Sequence, residues 1–388
     1  MRILVTTDWF APSTGGGAER VVYEVAVRLA AEGHTIKIVG SRPDGGAPFE
    51  LPPDVSLVSV PARNLSRLLG AQVSVAPGFA RAVGGAIAAA RPDVVWSHSL
   101  QFQSTLAAAV AARRAGVPLV VTAHIGDLRQ VAGAVGVAAR VHEATLGRFV
   151  LGRACRAMAV SDAVAGHLHA LAPRLPIDVV PNGVDHARFR PVARRFDGTL
   201  VVGLLGRLVA NKGPATAVSA VAQLIRRGVA ARLFIAGDGP EREWLARLAA
   251  AEGIAGAVVF EGFRTDPERW FATIDVLVRP SLTEGMPLGL LEAMAAGVPV
   301  IASDVPGNAA LVAHGTTGLL VPVREPTALA DTLERVAGDE ELRERLRVGG
   351  LALTALMTWD RTARLTLGSL SRALPVSATP PEPAPSRA

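Results

Sequence analysis

Two glutamates, Glu284 and Glu292, stand eight positions apart in the segment PSLTEGMPLGLLEAMAAGVPVIASDVPGN, residues 280–308. The segment reads as a strand ending at Ser281, a loop, and a helix opening at Pro287. Proline suits the first helical position because its missing N–H would have had no partner there. The amides of residues 288–291 then lack intrahelical acceptors and make a ready anion site. Glu292 falls about one and a half turns into that helix, where a carboxylate can accept two hydrogen bonds from vicinal hydroxyls, as a ribose offers. Glu284, in the loop, can address a second polyol. Upstream, GRLVANKG (206–213) places Arg207 and Lys212 in a loop after another strand. Two cations there can neutralise a diphosphate, Arg as a planar fork and Lys as a point charge. Either pair alone would read as solvated surface charge; the strand–loop–helix context makes them a site.

Other residues sort quickly by type and spacing. His124, in VTAHIGD, ends a strand and faces the expected cleft; His98 ends the preceding strand and is a weaker cleft candidate. His167 and His169 are two apart on a presumed helix, hence on different faces, and make no metal pair. No Asp-x-Asp occurs in the chain, which removes a common way of holding a divalent cation. The glycines of GGGAER lack the G-x-G-x-x-G spacing of a dinucleotide site.

The elements that must position these groups alternate. Strand-like runs at 2–7, 35–40, 93–99, 118–125 and 154–160 flank helical stretches at about 18–32 and 100–115, with Ser161 and Asp162 as caps. The pattern breaks into Pro, Gly and Arg at 181–198, then restarts with strands at 199–208, 231–239, 257–263, 274–281 and 298–304. Two parallel-sheet α/β domains follow, and such sheets bind ligands outside the C-terminal ends of their strands. The expected division is an N-terminal domain over 1–187, a linker over 188–198 and a C-terminal domain over 199–357. A terminal helix over 358–374 and a disordered Pro-rich tail over 375–388 complete it.

With 388 residues, half of them apolar, the chain can fill two cores. Its single Cys155 permits no internal disulfide, and its N-terminus reads as a buried strand rather than a signal peptide. A cytoplasmic protein is expected. The formal charge of +6 suggests anionic partners, but aromatics are only 4% of residues, with Tyr23 the one tyrosine. That is too few for a base-stacking platform, so nucleic acid is not expected. The stretch 140–156 mixes Arg140, Arg148, Arg153 and Arg156 with Leu146, Phe149, Val150 and Leu151. It reads either as a core-facing helix with a solvated Arg face or as a basic amphipathic helix that lies on an anionic membrane.

Together the motifs resemble glycosyltransferase family 4, the retaining enzymes of GT-B fold. The matching residues are Glu284-x7-Glu292 followed by EAMAAGVPVIASDVPGN, GRL and NKG within 206–213, GDGPER (237–242), PNGVD (181–185) and GGGAERVV (15–22). They appear in the family's order, from residue 1 to about 374. The resemblance implies a GT-B architecture: two Rossmann-like domains facing across a cleft, the terminal helix crossing back to the first. It implies a retaining, metal-independent transfer from a nucleoside-diphosphate sugar to a hydroxyl acceptor, with no other cofactor. Arg207 and Lys212 match the diphosphate-binding pair, Glu292 the ribose ligand and Glu284 the group facing the donor sugar. Gly285, Met286, Pro287 and Leu288 fall in the donor loop. Gly16 and Gly17 match the glycines that let the N-terminal backbone approach the donor. His124 matches a histidine that closes on the transferred sugar, and Gly262 and Phe263 lie where the base pocket is built. The chain departs from the family pattern at Arg279, where an aliphatic residue is usual, and at Ala309–Ala310, where an acidic residue is usual. Remaining alternatives on this frame are a sugar-nucleotide epimerase, a phosphorylase, a non-catalytic sugar-nucleotide-binding protein and, disfavoured by the missing fingerprint, an NAD-dependent oxidoreductase.

Overall fold

The computed structural model describes residues 1–10, 16–43, 51–64, 74–126, 133–192 and 196–375. Gly15, positions 193–195 of the expected linker, and the expected tail from residue 376 lie outside these.

The first sheet comprises β1 (Arg2–Trp9), β2 (Thr35–Pro43), β3 (Val55–Asn64), β4 (Ser74–Val75), β5 (Val94–His98), β6 (Leu119–Ala123), β7 (Arg156–Ala159) and β8 (Ile177–Val179). Their order is β4-β3-β2-β1-β5-β6-β7-β8, parallel throughout except for the β3–β4 pair. The second comprises β9 (Leu200–Leu205), β10 (Ala231–Ala236), β11 (Val258–Gly262), β12 (Val276–Arg279), β13 (Val300–Ser303) and β14 (Leu319–Val321), in the order β11-β10-β9-β12-β13-β14. Helices cover both faces, so central strands are apolar at consecutive positions: Ile3, Leu4 and Val5 are all buried. Strand order reverses at β1 in one sheet and at β9 in the other. A crevice opens outside the C-terminal ends at such a reversal. Asp8 and His98 close the strands β1 and β5 at the first; Arg207 and Arg279 follow β9 and close β12 at the second.

The terminal helix, Trp359–Arg372, is capped by Thr358, whose hydroxyl accepts from the Arg361 amide at 3.2 Å. It crosses back to the first sheet. Asp360 pairs with Arg28 at 2.7 Å, Thr362 donates to the Pro181 carbonyl at 2.8 Å, and Trp359 joins the core of the helix Gly17–Ala31.

Several sequence expectations shift. β3, β4, β8 and β14 were not marked by the pattern. β3 carries Pro61, which argues against a strand, and the other three are only two or three residues long. The helix expected from 100 starts at Gln103, because the chain leaves β5 through Ser99 in the left-handed region (φ 66°). Ser161 caps the helix Asp162–Leu171, while Asp162 occupies its first turn. Residues 140–151 are helical, as one reading expected, but the helix ends at Leu151 and residues 152–156 lead into β7. The stretch passes from the helix Gly133–His142 through a π-helical turn, Glu143–Gly147, into Arg148–Leu151 and then β7. Val150 and Leu151 are buried in the core, Phe149 lies under the Arg153 guanidinium, and Leu146 faces solvent. Among the described residues no helix is long and apolar enough to cross a membrane.

Candidate active site

The loop between β12 and the helix Leu288–Ala295 lies where the two sheets' crevices face each other. The side chain of Glu284 is only 7% exposed. Its Oε1 accepts from Lys212 Nζ at 2.8 Å and from Arg279 Nε at 2.9 Å. Burial alone would raise this carboxyl, but Arg279 and Lys212 reverse that and hold it at about 2. Arg279 also donates to the Leu205 carbonyl at 2.7 Å, tying the end of β12 to the end of β9. The sequence flagged Arg279 only as a departure from the family. The structure makes it the second cation on Glu284.

Lys212 ends a short 3-10 turn, Ala210–Lys212, that follows β9. Burial depresses its pKa, with Glu284 opposing. Arg207 lies in the same connection, half-buried, and its guanidinium makes no hydrogen bond among the described residues. Its pKa too is lowered by burial, partly offset by Glu19 from the helix Gly17–Ala31 of the first sheet. A desolvated, unpaired guanidinium is primed to gain from an arriving anion.

Pro287 is the cap rather than the first residue of the helix, with extended backbone (φ −73°, ψ 119°). Its carbonyl accepts from the amides of Leu290 and Leu291. The free donors expected over 288–291 thus narrow to Leu288 and Gly289, which make no backbone hydrogen bond among the described residues. Glu292, on the same helix, is half-buried with no hydrogen bond to its carboxylate among those residues. Burial raises its pKa to about 6, with Arg20, Arg188 and Arg279 opposing.

The first sheet's elements touch this loop directly. Gly285 packs so closely on His124 that a Cβ there would fall on the His124 carbonyl. Ser161 donates to the Gly285 carbonyl at 3.0 Å, and the Asn182 amide group donates to the Met286 carbonyl at 2.9 Å. Gly17 faces the Leu288 side chain, and Gly16 the Glu19 carboxylate. Contacts therefore join Gly17 to Leu288, His124 to Gly285 and Lys212 to Glu284, Gly16 and Arg207 both lie near Glu19, and Met286, Pro287 and Glu292 belong to the same loop and helix. Gly262 takes positive φ (71°) at the end of β11, and Phe263 beside it is 53% exposed. No contact joins these two to the Glu284 cluster among the described residues.

Three buried polar groups nearby carry no signal in sequence that marks these contacts. The Ser161 hydroxyl both caps its helix and reaches the Gly285 carbonyl of the other sheet's loop. Asn182, in the PNGVD motif, holds the Met286 carbonyl. Asp8, buried at the end of β1, accepts from the Ser104 amide at 2.8 Å and so caps the helix Gln103–Ala115 from a distance. Burial raises its pKa to about 6.

Comparison with known proteins agrees with this geometry. The family model described as "Glycosyltransferase Family 4" matches residues 15–188, and that described as "Glycosyl transferases group 1" matches residues 199–339. The chain is 33% identical to the D-inositol 3-phosphate glycosyltransferase of Frankia alni, over 95% of this chain and 98% of that one. It is 34% identical to the enzyme of the same name from Stackebrandtia nassauensis, over 96% and 91%. Among solved structures, sucrose-phosphate synthase from Thermosynechococcus elongatus superposes with a TM-score of 0.81 at 24% identity, covering 96% of this chain and 98% of that one. Anabaena HepE in complex with UDP-glucose gives 0.75 at 20% identity, covering 96% and 100%. Identity above 30% along nearly the whole length, on a two-sheet GT-B frame with both family models in sequence order, shows that the chain belongs to glycosyltransferase family 4 and is a glycosyltransferase.

Proposed function

We propose that the protein is a retaining, metal-independent glycosyltransferase that moves a sugar from a nucleoside-diphosphate donor to a hydroxyl acceptor. The observation that carries this reading is Arg207, unpaired among the described residues, together with Lys212 in the same connection and the free amides of Leu288 and Gly289. Arg207 and Lys212 sit in the connection that follows β9 and the two amides open the helix after β12, the neighbouring strand of the sheet, so both lie at the end where a leaving diphosphate gains negative charge as the glycosidic bond breaks. Preorganised donors of this kind contribute about 10²–10³ each to the rate. Glu292 accepts from the donor ribose, and Glu284 with His124 flanks the transferred sugar. The acceptor hydroxyl passes its proton to the departing phosphate oxygen on the face it attacks, so the anomeric configuration is kept and no enzymic nucleophile is required. Arg207→Ala and Lys212→Ala are each expected to lower kcat by about 10²–10³ with little change in melting temperature. Activity is expected to survive EDTA, and NMR of the product is expected to show the donor's anomeric configuration. EDTA-sensitive turnover restored by Mg²⁺, with both variants near full rate, would overturn the mechanism.

The partners follow from the same reading. The Frankia and Stackebrandtia relatives are named for D-inositol 3-phosphate, which makes a polyol phosphate the first acceptor to try. HepE's complex makes UDP-glucose the first donor. Val137, Val141 and Leu146 are exposed beside Arg148, a surface suited to peripheral contact with an anionic bilayer. Pelleting with anionic vesicles at low but not high salt is the expected result; no pelleting at low salt removes the contact.

A further inference from the structure

His98 ends β5 wholly out of solvent, and its Nδ1 lies 2.8 Å from Nε2 of His124 at the end of β6. The ring centroids are 5.1 Å apart with planes inclined by 16°. With the two nitrogens 2.8 Å apart, that centroid separation requires both ring centres to lie in line with them, so the rings meet edge to edge and the hydrogen bond lies in their common plane. The Thr105 hydroxyl donates to the His98 carbonyl at 2.9 Å and fixes the end of β5. Burial lowers both imidazole pKa values, that of His124 to about 4, and the proximity of His124 adds to the effect on His98. Both rings are therefore neutral near pH 7, each with one ring proton.

Two arrangements satisfy the contact. In one, His98 donates from Nδ1 and its Nε2 is bare. In the other, His124 donates from Nε2 and His98 must carry its proton on its own Nε2. His98 Nε2 is buried with no hydrogen-bond partner among the described residues. A buried N–H without an acceptor is the rarer defect; under-satisfied acceptors are tolerated more often. The first arrangement therefore prevails.

We propose that His98 is a positioning residue that sets the tautomer of His124, so that His124 presents an Nδ1–H donor to the transferred sugar. His124 is partly exposed beside the Gly285 loop, and its Nδ1 has no partner among the described residues. What that donor meets rests on the donor-site reading above; the tautomer itself does not. A neutral donor suits the task. It grips a sugar hydroxyl without placing a full positive charge beside an anomeric centre that itself becomes cationic. Without His98, the His124 ring is free to exchange tautomers and offers the sugar a lone pair part of the time.

The test uses the full chain labelled with ¹⁵N-histidine. Long-range ¹H–¹⁵N correlation spectra at pH 7 are expected to show both His98 and His124 in the Nδ1–H form. His98→Asn places an amide N–H where Nδ1–H stood, whereas His98→Gln places it near Nε2 and His98→Leu removes it. UDP-glucose, GDP-glucose and ADP-glucose serve as donors, with water as acceptor and nucleoside-diphosphate release as the readout. The Asn variant is expected to stay within about threefold of wild type in kcat/KM, and the Gln and Leu variants to fall about tenfold, the loss of one oriented hydrogen bond. If the Leu variant melts far below wild type, the Asn–Gln comparison decides. An Nε2–H signal from His124 in the wild type, or equal rates for Asn and Gln, overturns the proposal. If the wild type turns over none of the three donors, the donor reading fails while the spectra still decide the tautomer.

Discussion

Glu284 and Glu292 are the same chemical group held in opposite conditions. Burial acts on both, but Glu284 has two cations on one oxygen and settles at about 2, while Glu292 has none in contact among the described residues and settles at about 6. Removing Arg279 is expected to undo half of the first arrangement. In Arg279→Leu the burial of Glu284 is offset by Lys212 alone, so its pKa rises and the acidic limb of kcat/KM moves to higher pH. A profile unchanged from wild type would show that Glu284 does not need Arg279. Glu292 carries the opposite sign. Its folded pKa is raised, so its stabilising contribution is present below its ordinary value of 4.5 and is lost as pH rises through about 6. That loss is about 2 kcal/mol at most. Glu292→Gln is therefore expected to raise unfolding free energy at pH 8, measured by urea denaturation, while weakening donor binding. In the wild type, donor KM is expected to fall as pH rises through about 6, where the carboxylate forms and accepts from the ribose. The Gln variant is expected to lack that step.

At the scale of elements, the loop 284–287 is held from both sides. Arg279 and Lys212 grip Glu284 from the second sheet, while Ser161 and Asn182 grip the carbonyls of Gly285 and Met286 from the first. A side chain at 285 has no room against His124. Gly285→Ala is expected to displace the loop, and with it Glu284 and the start of the helix Leu288–Ala295. A shift of about 1 Å in positioning groups costs on the order of 10²-fold in rate. Steady-state kinetics are expected to show that loss with a melting temperature close to wild type. A near-normal rate would mean that the loop tolerates the displacement.

The chain passes between the two sheets' territories twice, and the passes run side by side. Val184 bridges to Thr358, and its amide donates to the Met357 carbonyl at 2.9 Å. Gly183 allows the approach, because a Cβ there would fall on the Trp359 backbone. A paired crossing is a natural hinge for closing the cleft on a donor. Small-angle scattering is expected to show compaction at saturating donor, and identical profiles would count against closure. Trp359, buried beside the helix Gly17–Ala31, anchors the returning helix. Trp359→Ala is expected to cost about 3–5 kcal/mol, read as a fall in melting temperature.

The sequence by itself determined what local chemistry determines. Strand-then-helix alternation gave two parallel sheets, and Pro287 between a strand and an apolar run marked a helix start to within one residue. The spacing of Glu284, Glu292, Arg207 and Lys212 along strand ends pointed to one donor site. Short edge strands such as β8 and β14 escaped, because three residues hold too little periodicity to read. Only the tertiary structure decided which charge meets which. Nothing in the spacing of residues 212, 279 and 284 shows that both cations share one carboxylate oxygen, since that depends on β9 and β12 lying adjacent in the sheet. Likewise His98 and His124 read in sequence as two separate cleft candidates, one weaker than the other. They become one hydrogen-bonded unit because parallel pairing of β5 with β6 sets their ends side by side, and burial then leaves each ring a single proton to place.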